Sequence, residues 1–129
     1  MNLLSLIYVG AGGCVGSVLR YIISLWFNEK FPNSFVPYGT LLVNVVGSFL
    51  LGVILEFSLH GDLSYNVRLF LTTGIMGGLT TFSTFSYETV ALINSALYSQ
   101  AIANVALNLG LGLGGALAGI SLVRLIFKF

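Results

Sequence analysis

Charged side chains are scarce in this sequence. They make up 7% of its 129 residues, whereas an ordinary soluble domain carries about a quarter. Hydrophobic residues make up 57%, and the mean hydropathy is +0.99. With 5 Lys and Arg against 4 Asp and Glu, the net charge is +1, so the chain lacks the basic surface that nucleic-acid binding requires. These absences exclude a nucleic-acid partner and indicate a protein that lies in the lipid bilayer.

Cysteine and proline are also rare. The single cysteine, Cys14, cannot form an internal disulfide and lacks the partners of a metal site, so we interpret it as a small packing residue. No charged side chain precedes Arg20, whereas a secretory leader begins with a basic segment. We therefore interpret the N-terminal apolar stretch as a transmembrane helix that is retained in the protein.

Long apolar runs between turn-forming residues predict four transmembrane helices in one domain, residues 1–129. A hydrocarbon core about 30 Å thick takes about 20 residues per helix, which leaves no room for a soluble catalytic domain. The continuous runs also favour helices over the alternating strands of a membrane barrel. The predicted helices are Leu3–Phe27, Tyr38–Leu59, Val67–Leu97 and Ala101–Phe127, with the third connection near Tyr98–Gln100.

Basic residues do not decide the orientation of these helices. Arg68, Arg124 and Lys128 lie on the side of both termini, and Arg20 and Lys30 lie on the other. So small a bias leaves two interpretations open. The chain inserts in one orientation, or it inserts in both and assembles antiparallel.

Polar residues recur every four positions in two of the predicted helices. Thr40, Asn44 and Ser48 form one stripe, and Asn104 and Asn108 form another. A polar side chain in lipid must find a partner or face water. One stripe alone favours a helix contact, whereas several stripes in a small chain favour a hydrated track.

The third predicted helix is rich in glycine and hydroxyl residues at mid-membrane depth. Gly77 and Gly78 each weaken a helix by about 1 kcal/mol relative to alanine, so we predict a break there. Backbone groups freed by a break must be buried in protein or face a watery cavity, as at the ion sites of transporters. The alternative is a glycine-rich packing contact.

Two phenylalanines follow this point and share one face of the helix. Phe82 and Phe85 are three residues apart, and hydroxyl side chains surround them. The edge of an aromatic ring is positive, so ring edges beside hydroxyl donors can stabilise a small anion without a fixed cation. Such binding is weak enough for conduction. The ordinary alternative is contact with lipid or with the protein core.

These segments closely resemble the CrcB, or Fluc, family of fluoride channels. The resemblance rests on Gly12–Arg20, Gly39–Asn44 and Gly77–Ser86 followed by Glu88, and it covers essentially the whole chain. It implies an all-α membrane protein with four transmembrane helices per protomer and a break in the third. It also implies dual topology and an antiparallel homodimer with two fluoride pores in the cell (inner) membrane.

The resemblance further implies which residues contact fluoride. Phe82 and Phe85 match the pore phenylalanines whose ring edges contact the ion, and Asn44 matches the asparagine that donates to it. The hydroxyls of Thr40, Ser83 and Thr84 are candidates for the polar track, and Glu88 is a candidate for the pore mouth.

A structural sodium ion is implied as well, held at the dimer centre by the backbone carbonyls of Gly77 and Thr80 from both protomers. Some family members have tyrosine and serine where this chain has Asn104 and Asn108, so the resemblance leaves the roles of these two residues open. The roles of Arg20 and Glu56 are also open, because each can lie near a helix end.

The expected function is a passive, fluoride-selective channel that lowers cytoplasmic fluoride, and not an enzyme. One alternative is a proton-coupled exporter of the small multidrug type. That type relies on a first-helix glutamate, and no acidic residue lies within Leu3–Phe27. The other alternative is a non-transporting membrane assembly subunit, in which the polar stripes only join helices.

Overall fold

A computed structural model describes residues 2–128 of the chain, which there forms four helical units. Helix α1 spans Leu3–Lys30 and α2 spans Tyr38–His60. The third unit, residues 65–94, is divided into α3 (Tyr65–Leu69), a π-helical stretch (Phe70–Met76), α4 (Gly77–Leu79) and α5 (Phe82–Asn94). Helix α6 spans Tyr98–Phe127, and α1, α2 and α6 are each long and apolar enough to cross a membrane. The predicted all-helical architecture is therefore confirmed.

The break in the third unit is confirmed, but its predicted position at Gly77 and Gly78 is wrong. Both glycines are helical, and the backbone becomes extended at Thr80 (φ −80°, ψ 153°) and Thr81 (φ −150°, ψ 115°). Thr81 then caps α5, since its hydroxyl accepts the Thr84 N–H at 3.1 Å. The position of the break depends on α2, because the Thr81 N–H donates to Asn44 Oδ1 on that helix, at 2.8 Å, instead of to a carbonyl of its own helix.

The predicted connection at Tyr98–Gln100 is also wrong, because these residues form the first turn of α6. Residues 95–97 connect α5 to α6 instead. Ala96 has a left-handed backbone (φ 57°), and the N–H groups of Ala96 and Leu97 donate to the carbonyls of Ile93 and Leu92, both at 2.9 Å. This is a Schellman turn, which usually has glycine at the left-handed position. Because this chain has alanine at that position, its sequence does not indicate the turn.

Glycines let the helices approach closely enough for their backbones to touch. Helices α2 and α6 run parallel, with Gly52 against Ala116 and Gly119 against Phe49. On the other side of the molecule, Gly78 packs on α1, where an added Cβ would lie 2.7 Å from the Gly13 carbonyl oxygen. Gly78 therefore allows close packing of the helices and does not form the break.

We expect Gly119→Ala to destabilise the protein, because the new methyl group would overlap the backbone of Phe49. Overpacking of this kind costs about 1–3 kcal/mol. Gly114→Ala is the matched control on the same helix, since a Cβ at Gly114 has no described atom within 4 Å. Thermal unfolding in detergent, followed by helical circular dichroism, checks this prediction. Equal midpoints for the two variants would contradict the close packing of α2 and α6.

Candidate anion site at the helix break

A groove of about 280 Å³ lies between α2, the helix break and α6. The polar side chains that line it are those of Asn44, Ser48, Thr80, Thr81 and Asn108. The remaining lining residues are Phe82, Phe85, Leu109, Gly112 and Leu113. The groove is therefore uncharged, with amides and hydroxyls beside two aromatic rings.

The two phenylalanines predicted from the sequence occupy the groove wall together. Their ring centroids lie 5.6 Å apart, and the ring planes are inclined at 58°. Phe85 is 7% exposed, whereas Phe82 is 76% exposed. One ring thus belongs to the core of the chain, and the other lies on its surface.

Asn44 joins α2 to the helix break through both halves of its amide. Its Oδ1 accepts the Thr81 N–H at 2.8 Å, and its Nδ2 donates to the Thr81 carbonyl at 3.2 Å and to Asn108 Oδ1 at 2.9 Å. These contacts satisfy backbone groups that lipid could not satisfy. Asn44 therefore stabilises the extended backbone at the break and places an amide in the groove.

A chain of hydrogen bonds continues from Asn44 along the other predicted polar stripe. Asn108 Nδ2 donates to the side-chain and backbone oxygens of Asn104, at 3.0 and 2.9 Å. Asn104 donates to the Thr89 hydroxyl at 3.0 Å, and Thr89 donates to the Phe85 carbonyl at 2.8 Å. The chain thus returns to α5 one turn beyond the break. The four-residue spacing predicted the Asn104 and Asn108 stripe, but nothing in the sequence indicated Thr89.

Three predicted track residues and Glu88 lie outside the groove lining. Thr40 donates to Glu88 Oε1 at 2.8 Å, and Glu88 borders a separate cavity of about 260 Å³ beneath the loop after α1. Ser83 and Thr84 are exposed on the first turn of α5, and their hydroxyls lie 3.3 and 3.0 Å from that of Thr81. The structure therefore brings Ser83 and Thr84 close to the break and places Thr40 with Glu88.

The two predicted sodium ligands have carbonyls that the break releases from the helix. In an unbroken helix the N–H groups of residues 81 and 84 would bond the carbonyls of Gly77 and Thr80. Here the Thr81 N–H donates to Asn44, and the Thr84 N–H donates to the Thr81 hydroxyl. Gly77 is exposed, and the Thr80 carbonyl accepts a long hydrogen bond of 3.4 Å from Arg20. Carbonyl oxygens suit a hard cation, and the one at Thr80 already faces the cationic guanidinium of Arg20.

The remaining ionisable residue with an open role, Glu56, lies in an ion-pair cluster. Its Oε1 accepts from Arg124 Nε at 2.8 Å and lies 3.4 Å from His60 Nε2. The pair connects the last turns of α2 and α6, and it lies away from the groove. The sequence did not indicate this pair, because Glu56 and Arg124 are 68 residues apart.

Comparison with known proteins places the chain in a family. The family described as "CrcB-like protein, Camphor Resistance (CrcB)" matches residues 7–120. The chain belongs to the CrcB/FluC family. The matched range contains the whole helix break and every residue that lines the groove.

Several relatives of this CrcB/FluC chain bear the name "Fluoride-specific ion channel FluC". A protein from Clostridium perfringens is 49% identical over 127 residues, covering 98% of each chain. Relatives from Clostridium novyi and Rhizobium meliloti are 48% and 43% identical and cover 98% and 92% of this chain. Family membership and the long apolar helices together show a multi-pass membrane protein.

Proposed function

We propose that this protein is a passive, highly selective fluoride channel that lowers cytoplasmic fluoride. The observation that carries the proposal is the uncharged groove at the helix break, lined by amides, hydroxyls and two phenylalanine rings. Its relatives named as fluoride-specific ion channels support the same ion. The proposed activity is conduction and not enzymatic catalysis.

The groove can replace the water that a small anion loses. Fluoride needs hydrogen-bond donors, which Asn44 offers, and the positive ring edges of Phe82 and Phe85 add attraction without a counter-charge. The Asn44 contact with the Thr81 carbonyl is the longer of its two donated bonds, at 3.2 Å against 2.9 Å. That longer contact is therefore the cheaper one to exchange for a contact with an anion. The hydroxyls of Thr40, Ser83 and Thr84 are proposed to extend the polar track, with Glu88 at its mouth.

The proposed assembly is an antiparallel homodimer with dual topology and two pores, embedded in the cell (inner) membrane. The exposed ring of Phe82 supports a dimer, because a pore wall made by this ring requires a covering surface. The even distribution of basic residues supports insertion in both orientations.

A structural sodium ion is proposed at the centre of this dimer. Gly77 and Thr80 would hold it through their released carbonyls, with the same two groups from the second protomer. The ion would supply positive charge to carbonyls that have lost their helical partners. Within residues 2–128 no cluster of His, Cys, Asp or Glu could serve as a metal site, so backbone oxygens are the ligands to test.

The physiological result would be fluoride resistance. Hydrogen fluoride enters a cell as a neutral molecule and dissociates in the less acidic cytoplasm. A passive channel would let the membrane potential expel the trapped anion.

Fluoride efflux from liposomes tests the proposal. Purified protein is reconstituted in vesicles loaded with potassium fluoride, and efflux is recorded with a fluoride electrode before and after valinomycin. A channel moves charge, so we expect efflux only when potassium can leave as well. Proton-coupled export would change the pH inside the vesicles as fluoride leaves, which channel conduction would not, and an assembly subunit would give no efflux before or after valinomycin.

A further inference from the structure

Ser48 is a polar groove residue to which the proposed function gives no role. It lies one helical turn beyond Asn44 on α2, and its side chain lines the same groove. Residues four apart on a helix lie on one face, about 5–6 Å apart. Ser48 is therefore close enough to contact an anion that has moved one step from Asn44.

The Ser48 hydroxyl differs from the other polar groups of the groove in having a free donor. Asn44, Thr80, Thr81 and Asn108 all donate hydrogen bonds to protein atoms. Among residues 2–128, no hydrogen bond joins Ser48 Oγ to another group. A donor without a partner is the cheapest one for an incoming anion to use, because no existing bond has to break.

The surroundings of Ser48 leave space for such an ion. Gly112 on α6 faces it, and a Cβ added at Gly112 would lie 3.9 Å from Ser48 Oγ with no other described atom closer. Ser48 also lines a second groove of about 340 Å³, which continues along α2 and α6. Apart from Ser48, the carboxylate of Glu56 is the only polar side chain among its described lining residues. Ser48 is thus the shared residue where the polar groove meets the largely apolar one.

We propose that the Ser48 hydroxyl is a second fluoride-binding position, one turn from Asn44 and facing the open space at Gly112. It takes the anion at the end of the polar groove, where the next stretch of wall offers no donor. This inference rests on the proposed channel function and adds a binding residue to it.

The test compares Ser48→Ala with wild-type protein in the liposome efflux assay over a range of fluoride concentrations. Loss of a hydrogen bond to a charged group weakens binding about tenfold or more, so we expect the half-saturating fluoride concentration to rise about tenfold. Ser58→Ala is the matched control, since Ser58 lies on the same helix and donates to the Leu55 carbonyl away from the groove. We expect the control to behave as wild type.

A second pair of variants keeps the serine and fills the space that it faces. Gly112→Ala should raise the half-saturating concentration, whereas Gly110→Ala should not, because a Cβ at Gly110 has no described atom within 4 Å. If wild-type protein conducts fluoride and both Ser48→Ala and Gly112→Ala match their controls, the Ser48 site is wrong and the channel proposal stands. If wild-type protein conducts no fluoride, the channel proposal itself fails.

Discussion

Asn44→Asp is expected to abolish fluoride flux while leaving the protein folded. The aspartate keeps an oxygen to accept the Thr81 N–H, which Asn44 accepts at 2.8 Å. It loses the donor that reaches the Thr81 carbonyl and Asn108, and it places negative charge in an otherwise uncharged anion groove. Loss of a bond to the ion alone predicts a decrease in flux of about tenfold to a hundredfold, and like-charge repulsion adds to it.

Asn44→Leu separates the structural role of this residue from its role in binding. Leucine leaves the N–H and carbonyl of Thr81 without their partner on α2, at about 1–3 kcal/mol for each buried group. We therefore expect the leucine variant to lose both flux and thermal stability. Asn94→Leu, at the exposed end of α5, is the control and should lose neither. Fluoride flux at the wild-type rate in Asn44→Asp would contradict the proposed role of Asn44 in the pore.

Phe82→Leu is expected to reduce fluoride flux by about tenfold or more at little cost in protomer stability. The Phe82 ring is 76% exposed, so the protomer core does not depend on it. Leucine keeps much of the apolar area and removes the positive ring edge. Efflux from liposomes measures the first consequence and thermal unfolding in detergent measures the second, while cross-linking follows assembly of the proposed dimer.

The matched control for the aromatic prediction is Tyr87→Leu, because Tyr87 is also 76% exposed and lies on the same helix outside the groove. Phe85→Leu should reduce flux too, but Phe85 is 7% exposed, so its loss also disturbs packing. Equal flux in wild type, Phe82→Leu and Phe85→Leu would overturn the aromatic mechanism.

The fold was largely predictable because apolar runs and turn residues are local features of the sequence. The predicted and observed ends of the long helices differ by at most three residues, as at Phe27 against Lys30. The helix break was predicted at the wrong position because a tertiary contact determines it. The last connection was predicted at the wrong position because its turn lacks the usual glycine. Asn44, on α2, accepts the Thr81 N–H and so fixes the position of the break. Ala96 occupies a left-handed turn position at which glycine is usual.

The candidate site was predictable where helical spacing places its residues on one face of a helix. The spacing of Phe82 and Phe85 placed both rings on one wall, and the Asn44 and Asn108 stripes do meet, with 2.9 Å between the two amides. Which hydroxyls line the groove could not be predicted, because Thr40 bonds Glu88 on a different helix. The pairing of Glu56 with Arg124 depends in the same way on the parallel contact of α2 and α6.

The ratio of fluoride to chloride efflux from the same liposomes tests the central claim most directly. The groove offers one uncharged set of donors and ring edges to both anions, and we expect these to bind the smaller ion more strongly because it approaches them more closely. We predict fluoride efflux that depends on valinomycin and chloride efflux no faster than from protein-free vesicles. Absence of fluoride efflux, or chloride efflux at the same rate, would contradict a fluoride-selective channel.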